Sequence, residues 1–156
     1  MQIKLTAIGK TNIDFVKTGV DEYYKRLKKY ISFEINELND VKNSSKLSKN
    51  ELKSKEKELL EKHIKSDEVI ILLDENGKEF TSEKFSKYIE NKIVQGNKNI
   101  HFIIGGAYGF HEEFLTSGYE TISLSKMTFS HQMIRLLFTE QLYRGFSIIK
   151  NEPYHH

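Results

Sequence analysis

Two runs in the middle of the chain, Val69–Leu73 and Ile100–Ile104, are apolar at nearly every position. Such runs are typical of strands in a parallel sheet, which helices cover on both faces. Three more runs, Ile3–Ile8, Ile31–Leu38 and Tyr119–Leu124, predict further strands. Because helical segments alternate with these strands, the sequence predicts an α/β fold with a mainly parallel sheet flanked by helices.

Apolar spacing and capping residues predict the helices. Asn12 is expected to cap a first helix that reaches Leu27, and Thr81–Glu83 to open another that ends near Val94. Three further helices are predicted, at Leu47–Ile64, near Glu112–Leu115, and from about Phe129 onward.

Size and composition exclude several classes of protein. The 156 residues contain one proline and no repeat or linker, so we expect a single domain, residues 1–156. The longest apolar runs have about five residues, against the roughly 20 of a membrane helix, and no signal peptide is apparent. The chain has no cysteine and six scattered histidines, which gives no support for a metal site. We therefore expect a cytoplasmic protein with no membrane and no metal partner.

Positive charge is concentrated in one stretch, although the net charge is only +2. Residues 42–65 contain eight lysines and four glutamates. One interpretation is a solvated helix face with i,i+4 pairs such as Glu58–Lys62. The other is a surface that faces nucleic-acid phosphates, whose affinity would depend on salt.

Three of the predicted strands end in unusual segments: Leu73–Gly77, Gly105–Gly109 and Ser125–Thr128. Ligands of open parallel sheets bind beyond the carboxyl ends of the strands, so these loops predict one shared pocket. Paired glycines let a backbone approach a flat ligand closely, but a tight turn explains them equally well. Neither a dinucleotide fingerprint nor a G-K-[ST] phosphate loop is present.

The last predicted helix is apolar around nearly its whole circumference, through Met133, Ile134, Leu136, Leu137, Phe138, Leu142 and Tyr143. A helix apolar on all sides is buried on all sides. This favours a symmetric homodimer that meets through the helix over burial within one chain. The polar exceptions are His131, Arg135, Glu140 and Arg144. Glu140 and Arg144 are spaced as an i,i+4 ion pair and could also lie at the rim of a pocket.

Six ordered blocks together resemble the SPOUT class of methyltransferases and, within it, the ribosomal RNA large subunit methyltransferase H family. The blocks are Leu73-Asp74-Glu75 with Gly77, Phe102–Gly106 with Gly109, Ser123–Ser125 with Met127-Thr128, His131-Gln132 with Arg135, Glu140–Arg144, and Pro153-Tyr154-His155. The resemblance implies a C-terminal trefoil knot, a homodimer and S-adenosylmethionine as cofactor. It also implies methylation of N3 of a pseudouridine in 23S ribosomal RNA, on the assembled ribosome.

The resemblance implies roles for individual residues as well. The cofactor would be bound by Leu73, Gly105, Leu124, Ser125, Lys126, Met127, Thr128 and Phe129. The expected catalytic residues are Glu140, Arg144, Tyr154 and His155. Arg144 and the tail, from the same or the opposite subunit, would hold the base, and Tyr154 could stack on it. Glu140 and His155 are both candidate proton acceptors.

Three positions depart from the family's pattern. Ser130 replaces a common proline, Gly145 a usual alanine, and His156 a usual lysine or arginine. A histidine is only partly charged at neutral pH, which weakens any role for His156 in binding RNA phosphate.

Three other functions compete: a SPOUT enzyme acting on transfer RNA, a non-catalytic ribosome-binding factor, and a flavodoxin-like nucleotide-binding module. The last would need a phosphate loop after the first strand, where Gly9–Asn12 is a poor one.

Overall fold

The computed structural model describes all 156 residues. The strands are β1 (Gln2–Ile8), β2 (Ser32–Leu38), β3 (Val69–Glu79), β4 (Asn99–Ile104) and β5 (Glu120–Ser123). The helices are α1 (Asp14–Leu27), α2 (Lys49–Glu61), α3 (Ser82–Val94), α4 (Glu112–Leu115) and α5 (Met133–Ile149), with a short 3₁₀ turn at Ser44–Lys46. Every strand pair is parallel, and the order is β2-β1-β4-β3-β5. The predicted α/β class is therefore confirmed.

Apolar residues of the sheet are buried on both of its faces. On one face Phe102 of β4 packs on Phe138 of α5, with 4.6 Å between ring centroids, and α5 lies between α1 and α3. On the other face Leu72 and Ile103 pack with Leu60 of α2 and with residues of α4. The continuous apolar runs of the sequence thus reflect strands covered twice.

The start of α5 differs from the prediction. The helix begins at Met133 rather than near Phe129. The preceding residue, Gln132, contacts the start of α1 instead: its Oε1 accepts from the backbone N–H of Asn12 (3.1 Å) and Ile13 (3.3 Å). Asn12 is therefore not the helix cap, since Ile13 occupies that position without a side-chain bond.

Strand β3 extends further than the predicted end at Asp74. Its pairing with β5 shifts between Leu73 and Lys78 and then continues to Glu79. Close approach at Gly77 permits this, because an added Cβ would lie only 2.6 Å from the carbonyl carbon of Ile122. The irregularity leaves residues 74–76 out of the regular ladder, at the edge where the three loops meet.

Helix α2 is shorter than the predicted Leu47–Ile64. Ser48 and Glu51 form a reciprocal capping box that sets its start. The proposed Glu58–Lys62 pair does not form; Lys57 pairs with a glutamate four residues on instead.

None of the helices combines the length and apolarity needed to cross a membrane. The trefoil knot implied by the resemblance stays a prediction.

Candidate cofactor cavity and catalytic cluster

A cavity of about 650 Å³ opens at the sheet edge beyond the carboxyl ends of β4 and β5, beside the irregular segment within β3. Most of its lining comes from residues 73–76, 104–110 and 124–131. The expectation that three strand-end loops share one pocket is therefore confirmed. The volume lies within the range of roughly 300–1,000 Å³ that is usual for small-molecule sites.

Seven of the eight predicted cofactor residues line this cavity: Leu73, Gly105, Leu124, Ser125, Met127, Thr128 and Phe129. The eighth, Lys126, does not. Its side chain is 81% exposed and its ammonium lies 3.4 Å from the Glu79 carboxylate. Cofactor binding by the seven stays a prediction.

Glycines give the cavity a wall of bare backbone. The Gly109 N–H donates to the Gly106 carbonyl at 3.0 Å, so the segment does form a tight turn. A Cβ added at Gly105 would lie 3.0 Å from the carbonyl carbon of Gly109, and one added at Gly106 would collide with the Glu56 carboxylate. The tight turn is therefore confirmed, and the glycines line the cavity without side chains, while their close approach to a flat ligand stays a prediction.

Short polar contacts hold the loop after β5 against the loop within β3. The Thr128 hydroxyl donates to Glu75 Oε2 at 2.6 Å. Within the loop, the Met127 N–H donates to the Ser125 hydroxyl at 2.9 Å. The side chains of Met127 and Phe129 remain exposed at the mouth, so the cavity is open to a large substrate.

Two titratable groups, one behind the cavity wall and one in the cavity lining, were missed as site residues. Glu56 of α2 is buried behind Gly106 and forms no hydrogen bond. Burial, together with the charge of Asp40, raises the pKa of Glu56 to about 7. His131 lines the cavity, and burial beside Arg135 lowers its pKa, which disfavours the charged imidazolium. The one sequence signal for Glu56 is the apolar spacing of α2, which places this residue on the same helix face as the buried Leu60.

Arg135, a polar exception in the last helix, proves to be structural. Its side chain is buried, and its guanidinium donates to the carbonyls of Ile8 (2.7 Å), Gly9 (2.9 Å) and His131 (3.1 Å). It therefore ties α5 to the end of β1.

The four predicted catalytic residues form one connected cluster. Arg144 donates to Glu140 Oε1 through Nη2 (2.6 Å) and Nε (3.0 Å), which raises the pKa of the arginine. The Tyr154 hydroxyl donates to the same oxygen at 3.1 Å, and the Arg144 guanidinium carbon lies 4.6 Å from the Tyr154 ring centroid. His155 Nε2 lies 2.9 Å from Glu83 Oε1 and its Nδ1 3.4 Å from Arg144 Nη1.

The cluster and the cavity do not meet within one chain, since none of the four residues lines the cavity. Glu140 and Arg144 lie on the face of α5 opposite its buried side, with half-buried Met133 and Leu137 beside them. The tail packs against α1 through the Tyr154–Tyr23 contact and against α3 through Glu83.

No group of three or more His, Cys, Asp or Glu side chains is placed to hold a metal ion.

Comparison with known proteins places the chain among RNA-modifying enzymes. The family model described as a predicted SPOUT methyltransferase matches residues 1–155. The protein named ribosomal RNA large subunit methyltransferase H from Christiangramia forsetii is 51% identical over 156 residues, covering 100% of this chain and 99% of the relative. Proteins of the same name from Flavobacterium psychrophilum and Parabacteroides distasonis are 51% and 49% identical with the same coverage.

Proposed function

Because this chain belongs to the SPOUT methyltransferase family, we propose that it transfers a methyl group from S-adenosylmethionine to large-subunit ribosomal RNA. The proposed acceptor is N3 of a pseudouridine in 23S ribosomal RNA, and the proposed substrate is the assembled ribosome, which would place the enzyme in the cytoplasm. The active unit would be a homodimer of single-domain chains, residues 1–156, each with a knotted C-terminal segment. The strongest structural support is the cavity that the family-matching loops build at the sheet edge.

The lining of the cavity supports the proposed cofactor through its apolar surface and its charge. Leu73 and Leu124 offer apolar surface for a nucleoside, and the bare backbone at Gly105 allows a flat group to lie close. The carboxylates of Asp74 and Glu75 line the same cavity and would complement a positive charge. When bound, the cofactor supplies an electrophilic methyl group on a sulfonium.

A second copy of the chain would complete the site. The outer face of α5 carries Met133 and Leu137 next to Glu140 and Arg144, and all four are half-buried. A two-fold axis beside this face would bury the apolar pair and carry the cluster of one subunit towards the cavity of its partner. The separation of cluster and cavity within one chain favours this arrangement.

Methyl transfer needs the acceptor nitrogen in line with the methyl carbon, so positioning supplies much of the rate. Arg144, held by Glu140 through Nε and Nη2, keeps Nη1 free of the carboxylate and able to bind an oxygen of the base. Burial and the hydrogen bond to Tyr23 raise the pKa of Tyr154, so its hydroxyl stays protonated and keeps its single O–H on Glu140.

The N3 proton must leave pseudouridine during the reaction. Glu140 Oε1 already accepts three hydrogen bonds from Arg144 and Tyr154, which suits it to orient these groups. His155 is the better acceptor, because Glu83 can take its Nε2–H and leave the lone pair on Nδ1. The Nδ1 atom faces only the long contact to Arg144.

The direct test incubates the protein with methyl-labelled S-adenosylmethionine and, in parallel, whole ribosomes, free 23S ribosomal RNA or transfer RNA. We expect label on ribosomes, at N3 of pseudouridine when the RNA is digested and analysed by mass spectrometry. Preferred labelling of transfer RNA would contradict the proposed substrate. Binding of S-adenosylmethionine in a calorimetric titration without labelling of any RNA would instead indicate a non-catalytic factor.

A further inference from the structure

One face of α2 leads from the core along the cavity to its mouth. Leu60, Glu56, Lys53 and Lys49 lie on this face at helical spacing. Leu60 and Glu56 are buried, while Lys53 lines the cavity. Lys49 lies one turn further out, where its ammonium is 5.0 Å from the ring centroid of Tyr108. The first two turns of α2 therefore present positive charge at the cavity entrance.

Neither of these lysines is neutralised by a salt bridge, although Lys53 is close enough to Glu56 to act on the pKa of that carboxyl. Lys57, on another face of α2, pairs with Glu61 at 2.8 Å and with Glu113 at 3.3 Å. Lys49 and Lys53 form no such ion pair.

The one acidic residue in the first turn is already engaged. The Glu51 carboxylate accepts the N–H of Ser48 at 2.8 Å, and the bonds within this cap lower the pKa of Glu51. The two lysines remain available to an anion from outside.

Tyr108 adds an aromatic surface at the same place. It belongs to the glycine turn that lines the cavity, yet 51% of its surface is exposed. Exposed aromatic rings beside unpaired cations are typical of single-stranded RNA sites, where bases stack on the rings and phosphates meet the cations.

We propose that Lys49 and Lys53, with Tyr108, form a subsite for the RNA backbone that flanks the target nucleotide. This inference rests on the proposed function, because a base that reaches the cavity must bring its own phosphates to the cavity mouth. Phosphate contacts position RNA without reading its sequence, so the subsite would supply affinity and orientation. The phosphate-facing interpretation of the basic stretch then applies to the start of α2.

The test compares Lys49→Gln and Lys53→Gln with Lys55→Gln, which removes the same charge from the opposite, exposed face of α2. Initial rates of ribosome methylation are measured at several salt concentrations, and S-adenosylmethionine affinity is measured by calorimetry. For the first two variants we expect KM for ribosomes to rise about 3- to 10-fold, and the salt slope of log(kcat/KM) to fall by about one. We expect kcat and cofactor affinity to change less than about 2-fold, and Lys55→Gln to match the wild type.

Two results would overturn the subsite. One is equal behaviour of all three variants. The other is a loss of cofactor affinity as large as the rise in KM, which would assign Lys53 to the cofactor's carboxylate and leave the RNA without this contact. A wild-type protein that labels no RNA would overturn the proposed function before any variant is compared, so the two failures are distinguishable.

Discussion

The cavity at the sheet edge and the cluster on the outer face of α5 differ in how fully their polar groups are paired. In the cluster, Glu140 binds Arg144 and Tyr154, and His155 binds Glu83. At the cavity, Glu75 and Ser125 are paired within the loops, but Lys53 and Glu56, which lies behind Gly106, have no hydrogen-bond partner in the chain. A connected network holds its geometry before a substrate arrives, whereas unpaired groups cost stability and mark a place for a ligand. The cluster is therefore preorganised, whereas the cavity retains unpaired groups that a ligand could bind.

The largest effect should come from removing the tail. Deletion of Pro153–His156 takes Tyr154 and His155 from the cluster, so kcat/KM for ribosomes should fall by about 1,000-fold or more. Cofactor affinity should stay within about 3-fold, because no tail residue lines the cavity. Activity assays and calorimetry measure the two. Equal losses of both would make the tail a structural element and erase the contrast.

The opposite pattern is expected at the glycine turn. Gly106→Ala drives a methyl group into the Glu56 carboxylate, so the buried Glu56 side chain and the turn beside it must readjust, and cofactor affinity should fall by about 10-fold. Calorimetric titration measures this loss. The double variant Gly106→Ala with Glu56→Ala makes room for the methyl group and should recover part of the affinity. An unchanged affinity in the single variant would show that the wall tolerates a side chain.

Glu56 should make the cavity region a source of pH-dependent instability. Its pKa rises from 4.5 in the unfolded chain to about 7 in the fold, so the folded state holds the proton more tightly. Stability linked to this proton is present below about pH 4.5 and is lost as the pH rises through about 7. Glu56→Gln cannot lose the proton, so it should gain about 1–3 kcal/mol of unfolding free energy relative to wild type between about pH 4.5 and 8.

Urea denaturation of wild type and Glu56→Gln at about pH 4.5 and about pH 8 measures this difference in unfolding free energy. Gln reproduces the protonated side chain in shape, so it serves as its own control at the lower pH. A wild-type stability that rises over this interval relative to the variant would mean that Glu56 has a favourable charged partner.

The smallest effect is expected within α5. A Cβ added at Gly145 would lie 3.7 Å from Ser86 Cα, an ordinary contact, so Gly145→Ala should stabilise the helix by about 0.5–1 kcal/mol. Methylation activity should not change. Chemical denaturation gives the stability change, and a destabilised variant would show that α3 and α5 cannot accommodate the family's usual alanine.

The fold and the cavity could be predicted because both follow from local pattern. Runs apolar at every position indicate parallel strands, and their ends must meet at one edge. The start of α5 could not be predicted, because the contacts of Gln132 with α1 compete with helix formation before Met133. The extension of β3 depends on the close approach at Gly77, which no sequence period reveals.

The cluster was identified by resemblance, and its position could not be predicted at all. Helical spacing shows that Glu140 and Arg144 share a face, but not whether that face looks towards the cavity or away from it. The direction depends on which residues of α5 the sheet buries, and Phe138 and Leu142 decide it. Their burial turns Glu140 and Arg144 outward, away from the cavity of their own chain, so the proposed site requires a partner subunit.

The most direct test of a site shared between subunits mixes two impaired proteins, Gly106→Ala and the tail deletion, by co-expression with different affinity tags. Activity is measured at a cofactor concentration well below the one that saturates Gly106→Ala. If each site joins the cavity of one subunit to the cluster of the other, every mixed dimer has one intact site. Random pairing should then restore about a quarter of wild-type activity, and mixed dimers purified through both tags about half. Activity no greater than that of the two parent variants would contradict the account and confine each site to a single chain.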